Sequence, residues 1–155
     1  MLIIVNATFL INAMRTEPDI LQQMKLSTIK SAADELENEL GIGIHDFNIE
    51  ILQKESGIIK LSNEKRQQLS GTDMNLLYVC HKRRKQCIMV SDDLVLKNAA
   101  SENNITCYTT PEFMAYLLRK GNISKPQCVK FLNILRKIYI RLRDIDKVLK
   151  RIEGW

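Results

Sequence analysis

Leu2-Ile3-Ile4-Val5-Asn6-Ala7-Thr8-Phe9-Leu10 opens the chain, and the change of period inside this stretch decides the fold. An unbroken apolar run of strand length suits a central parallel strand, because helices cover both of its faces. After Asn6 the pattern turns helical: Phe9, Leu10, Ala13 and Met14 recur at helical spacing over Thr8 to Arg15, until Pro18 interrupts. The same alternation runs outward along the chain. A helix is expected over Thr28 to Leu40, with an apolar stripe of Ile29, Ala32, Ala33, Leu36 and Leu40, closed by Gly41 and Gly43. Phe47 to Leu52 reads as a strand and Leu61 to Leu69 as a short polar helix. Ser70 opens a clearer helix carrying Leu76, Leu77 and Cys80, which ends in the basic run His81-Lys82-Arg83-Arg84-Lys85. Cys87 to Ser91 is a strand, Leu94 to Glu102 a helix, Ile105 to Tyr108 a strand, and Pro111 to Lys120 a helix closed by Gly121.

Strands alternating with helices across short connections predict an α/β fold with three layers, α/β/α, around a central parallel sheet. From Lys125 onward the pattern changes. Cys128, Phe131, Leu135, Ile138, Leu142, Ile145, Leu149 and Ile152 recur every three or four residues among lysines and arginines. This predicts a C-terminal helical extension, read either as one helix or as two broken near Tyr139. The expected organisation is a single domain over residues 1–155, with a core at 1–120 and the extension at 121–155. No internal repeat or flexible linker interrupts it.

The chain has 155 residues, of which 45% are hydrophobic, enough to bury one core. Lys and Arg exceed Asp and Glu by five, and the isoelectric point near 9.1 suits an anionic partner without requiring one. The four cysteines (Cys80, Cys87, Cys107 and Cys128) form no CxxC pair and have only two histidines to help them, which argues against structural zinc. Leu2–Val5 lacks a basic flank, so no signal peptide is expected, and no apolar run has the length of a membrane span. A cytoplasmic protein with reduced thiols and no membrane partner is the simplest expectation.

Ligands of open α/β sheets bind beyond the carboxyl ends of the strands, which directs attention to the polar residues there. Asn6 follows the first strand; Asp92 and Asp93 follow the Cys87–Ser91 strand; Asp73 lies in the first turn of the helix before it. Each also has an ordinary role as a helix cap, and Ser70-Gly71-Thr72-Asp73 has the form of a capping box with Asp in place of Glu. Their common topological position is what sets them apart.

In order and spacing these segments resemble the PIN-domain ribonucleases over roughly residues 1–120. Val5-Asn6-Ala7-Thr8-Phe9-Leu10-Ile11-Asn12-Ala13 is similar to the family's opening strand, Asp-x-Ser/Thr and helix. Leu69-Ser70-Gly71-Thr72-Asp73-Met74-Asn75-Leu76-Leu77 is similar to its second signature, and Val90-Ser91-Asp92-Asp93-Leu94-Val95-Leu96 with Ala99-Ala100 and Ile105 to its third. The resemblance implies a PIN-like fold and hydrolysis of RNA phosphodiester bonds with Mg2+ or Mn2+. It makes Asp73 and Asp93 metal ligands, with Asp92 the alternative to Asp93. The family's acidic residue on the second helix is matched best by Glu35, although periodicity does not single it out beside Asp34 and Glu39. Thr8 and Ser91 would support the carboxylates by hydrogen bonding.

Asn6 departs from the family, which has aspartate there. The amide removes one of four carboxylates, and hard-cation affinity follows ligand charge, so metal binding and activity are expected to fall or vanish. Either the amide was introduced to tame a toxic nuclease, or the natural protein is a metal-poor relative that binds RNA without cutting. Retention of Thr8 and the other acidic positions favours the first. In length and simplicity the chain resembles the toxins of type II toxin–antitoxin pairs, which implies an antitoxin partner and a homodimer; a housekeeping RNA-processing nuclease and a non-catalytic RNA- or protein-binding PIN scaffold are the alternatives. Lys82, Arg83, Arg84 and Lys85, and the tail's Lys130, Arg136, Lys137, Arg141, Arg143, Lys147, Lys150 and Arg151, are candidate phosphate contacts. The competing reading is that they are solvated charges, which at a helix C-terminus also suit the helix dipole.

Overall fold

The computed structural model describes residues 1–44, 47–83, 86–138 and 144–155. In chain order the elements are β1 (Leu2–Val5), α1 (Ala7–Thr16), a 3-10 turn at Pro18–Gln22, β2 (Leu26–Ile29), α2 (Lys30–Leu40), β3 (Ile49–Leu52), α3 (Asn63–Gln68) and α4 (Gly71–Lys82). They continue with β4 (Cys87–Val90), α5 (Leu94–Glu102), β5 (Thr106–Tyr108), α6 (Thr110–Lys120), α7 (Lys125–Ile138) and α8 (Asp144–Ile152). The five strands form one sheet in the order β3-β2-β1-β4-β5, and every pairing is parallel. β1 lies at the centre, as its apolar run predicts. Leu2 pairs with Cys87 and Val5 with Val90, so β1 and β4 end level with each other.

Strand side chains alternate between faces, and the two apolar clusters follow that alternation. Val5 and Val90 enter a cluster with α1, α6, α7 and α8, where the Phe9 ring meets Phe113 at 5.3 Å and Phe131 at 6.3 Å. Ile4 and Met89 enter the other cluster, with Leu76, Leu77 and Val79 of α4 and Leu96, Ala99 and Ala100 of α5. α2 contributes to both, through Ala33 and Leu36 on one side and Ala32 on the other. The result is the expected three-layer α/β/α arrangement. The C-terminal helices are part of it: Phe131, Leu132, Leu135, Ile145, Val148 and Ile152 are buried in the same cluster as Phe9. The break anticipated near Tyr139 lies outside the described residues.

One element differs from the sequence reading. Thr28 and Ile29 belong to a strand, and the helix expected from Thr28 starts at Lys30. Leu26-Ser27-Thr28-Ile29 carries two hydroxyl residues, so it lacks the apolar signature of a buried strand, yet all four residues are buried. The Thr28 hydroxyl donates to the Val5 carbonyl at 2.7 Å, which offsets the loss of water around it. Gly41 and Gly121 close α2 and α6 in the left-handed region, at φ 66° and 77°, where a Cβ would be strained. Among the described residues, no helix is long and apolar enough to cross a membrane.

Candidate functional site

From β1 the chain builds the sheet outward through β2 and β3, then returns to add β4 and β5 on the other side. The direction of winding therefore reverses between β1 and β4. Their carboxyl ends diverge into connections on opposite sides, and the crevice left there is where open α/β sheets bind ligands. A cleft of about 260 Å3 occupies this position, lined by Asn6, Ala7, Thr8, Glu35, Ser70, Thr72, Asp73, Ser91, Asp92 and Asp93. Residues from four separate segments thus share one space.

The ordinary capping roles are real, and they are what hold these side chains in place. Asn6 Oδ1 accepts from the Phe9 backbone N–H at 3.0 Å and caps α1. Its Nδ2 donates to Ser91 Oγ at 3.4 Å, linking the ends of β1 and β4. Ser91, fully buried, also accepts from the Asp93 N–H at 3.2 Å. Asp93 caps α5, with Oδ1 accepting from Val95 N–H at 2.9 Å and Leu96 N–H at 3.3 Å. Ser70 caps α4 by accepting from the Asp73 N–H at 3.0 Å.

The Asp92–Asp93 doublet divides its labour. Asp92 is tied to the start of α6: Oδ1 accepts from the Thr110 N–H at 2.7 Å and Oδ2 from the Thr110 hydroxyl at 2.6 Å. Asp93 is exposed and uses only Oδ1 in its cap. On α2, Glu35 lines the cleft, while Asp34 pairs with Lys30 at 3.5 Å and Glu39 with Arg15 at 2.9 Å. The structure therefore singles out Glu35 among the acidic residues of that helix.

Burial raises the Asp73 pKa above its ordinary 3.8, and repulsion from Asp93 raises it further, against hydrogen bonds from Ser70 that lower it. Burial also raises Asp92, opposed by the two hydrogen bonds from Thr110.

No known family model matches the chain, and no curated protein is significantly similar to it. The geometry therefore stands on its own.

Does the cleft suit a divalent cation? Its donors are oxygens and it contains two mutually repelling carboxylates, which is the chemistry that Mg2+ and Mn2+ take. Among the described residues, no three His, Cys, Asp or Glu side chains are grouped closely enough to hold one ion. An ion bound here would therefore rest on one or two carboxylates and draw its other ligands from water or phosphate, as Mg2+ often does.

Lys82 and Arg83 of the basic run lie elsewhere. Asp73 is in the first turn of α4 and Lys82 is its last residue, about 14 Å along the helix at 1.5 Å per residue. Lys82 pairs with Glu55 at 2.9 Å and Arg83 is exposed; Arg84 and Lys85 are outside the described residues. In the tail, Lys130 pairs with Glu17 at 3.0 Å and Arg136 with Asp146 at 2.9 Å, while Arg141 and Arg143 are outside the described residues. The sequence reading missed Thr72 as a lining residue and Thr110 as the partner of Asp92. No local pattern reveals the second, because the two are joined only when β5 comes to lie beside β4.

Proposed function

We propose that this chain is a metal-dependent endoribonuclease of PIN-like type, acting as the toxin of a toxin–antitoxin pair, with its activity lowered by Asn6. The observation that carries the reading is the convergence of Asn6, Thr8, Glu35, Asp73, Ser91 and Asp93 on one cleft at the switch point of the sheet. Asp73 and Asp93 would hold Mg2+ or Mn2+, with Glu35 on the wall of the same cleft. Such an ion supplies Lewis-acid polarisation of the phosphodiester and a more acidic attacking water. The protein's part is to fix the Asp93 carboxylate as the cap of α5 and to bring Asp73, in the first turn of α4, within reach of its charge. Thr8 on the cleft wall offers a hydroxyl for a phosphate oxygen or a water.

Position 6 tunes this arrangement. As asparagine it donates to Ser91; as aspartate it would accept from the Ser91 hydroxyl, and a third negative charge would face Asp73 and Asp93. The Asn6→Asp protein should therefore cleave single-stranded RNA in Mg2+ or Mn2+, with the Asn6 protein slower by orders of magnitude. A lack of cleavage by the Asn6→Asp protein with either ion would sink the nuclease reading. That no three acidic side chains among the described residues are grouped closely enough to hold an ion favours a second reading, a scaffold that binds RNA without cutting it. A neighbouring gene for a small DNA-binding antitoxin supports the toxin assignment, and cleavage of a ribosomal RNA precursor supports a housekeeping enzyme. Homodimer formation belongs with the toxin reading, and sedimentation tests it.

A further inference from the structure

A second hollow, larger than the acidic cleft, lies on the same carboxyl edge of the sheet, beyond β2 and β3. It measures about 560 Å3 and is walled by the start of α2, the exit of β3 and the start of α4. We infer that it is a nucleotide subsite: it holds the single-stranded RNA residue next to the scissile phosphate, with Lys30 and Lys54 on the phosphates and Ile51 against the base. This rests on the nuclease reading of the neighbouring cleft.

Continuity comes first. Thr72 lines both spaces, and adjacent residues of α2 divide between them, Asp34 facing the hollow and Glu35 the cleft. A strand whose phosphate lies over Asp73 and Asp93 and which follows this edge passes next over the hollow. The volume falls in the range of about 300–1,000 Å3 that a group of nucleotide size fills.

Charge comes second. The cleft is acidic and repels a polyanion, whereas the hollow is lined by Lys30 at the start of α2 and Lys54 after β3. Lys54 is exposed and has no ion pair among the described residues. Lys30 is paired with Asp34 at 3.5 Å, but the two side chains are 82% and 53% exposed, so the pair is weak and yields readily to a phosphate.

Third, Ile51 is 45% exposed on the edge strand β3. Gln53 and Asn75, which line the same hollow, supply amides for a base edge, although Asn75 Oδ1 already accepts from the Glu55 N–H at 3.3 Å. Lysines flanking an apolar surface among amides suit an unpaired nucleotide, whose face is apolar and whose edge is polar.

The test is fluorescence anisotropy of a labelled single-stranded RNA decamer with the full chain, set against Lys30→Glu, Lys54→Glu and the double variant. Cleavage assays in the Asn6→Asp background and thermal melts of every variant accompany it. The double variant should keep its melting temperature, bind at least tenfold more weakly and lose about one to two units of salt slope; in the Asn6→Asp background its KM should rise. RNA binding and KM unmoved by the double change would overturn the subsite while leaving the nuclease reading intact. Lysine-dependent binding without cleavage by Asn6→Asp would keep the subsite and remove the nuclease. If a polyglutamate peptide binds in a Lys30- and Lys54-dependent way while RNA binding is unmoved, the hollow takes an acidic protein segment and the proposal fails.

Discussion

Asp73 carries a carboxylate that the fold makes harder to ionise, through burial first and the charge of Asp93 second. An acid whose pKa is raised in the folded protein binds its proton more tightly there than in the unfolded chain. Stability contributed by the protonated form is therefore present below 3.8 and is lost as pH rises from 3.8 through the raised value. At neutral pH the ionised side chain is a cost. Asp73→Asn should accordingly raise the melting temperature at pH 7, and calorimetry should show the gain disappearing below pH 3.8; a lower melting temperature at pH 7 would contradict the account. A residue that destabilises its own fold is common where function needs it. On the proposed function a bound cation would add stability: at about 100 times Kd the gain is about 2.7 kcal/mol, or about 5–10 °C for a protein of this size. Mn2+ titrations followed by thermal melting should show that shift for Asn6→Asp and a clearly smaller one for the Asn6 protein.

At the scale of elements, side chains from distant segments bridge the ends of neighbouring strands. Asp92 at the exit of β4 takes two hydrogen bonds from Thr110, which opens α6 and is fully buried. Thr110→Val removes one donor and leaves a half-buried carboxylate oxygen unsatisfied. The expected loss is about 1–3 kcal/mol in urea unfolding at pH 7. The loss should shrink as pH falls towards the ordinary 3.8 of Asp92, where the carboxyl is protonated. Elements carried by long apolar stripes or runs, such as β1, α1, β4 and α6, were readable from spacing alone. β2 was not, because Ser27 and Thr28 hide its burial, and their hydroxyls become acceptable inside only once Val5 offers a carbonyl. The caps at Asn6 and Ser70 were legible as caps, and that of α5 as either Asp92 or Asp93. The choice between Asp92 and Asp93 was not, since it depends on Thr110, 18 residues away.

For the whole molecule, α7 and α8 complete the core on the α1 face. Phe131 is fully buried against Phe9, so Phe131→Ala should cost about 3–5 kcal/mol in chemical denaturation. One cooperative transition should remain, because the tail and the sheet share a cluster; a separate early transition of the tail would show that it folds apart. The sequence alone determined that strands and helices alternate, that β1 is buried on both faces, and which polar residues end the strands. Each of these depends on side chains a few positions apart, so each is written in local spacing. Only the tertiary structure decided that the winding reverses between β1 and β4. That reversal brings residues 6, 35, 73 and 93 around one cleft, because strand order is set by pairing between segments that local pattern does not encode.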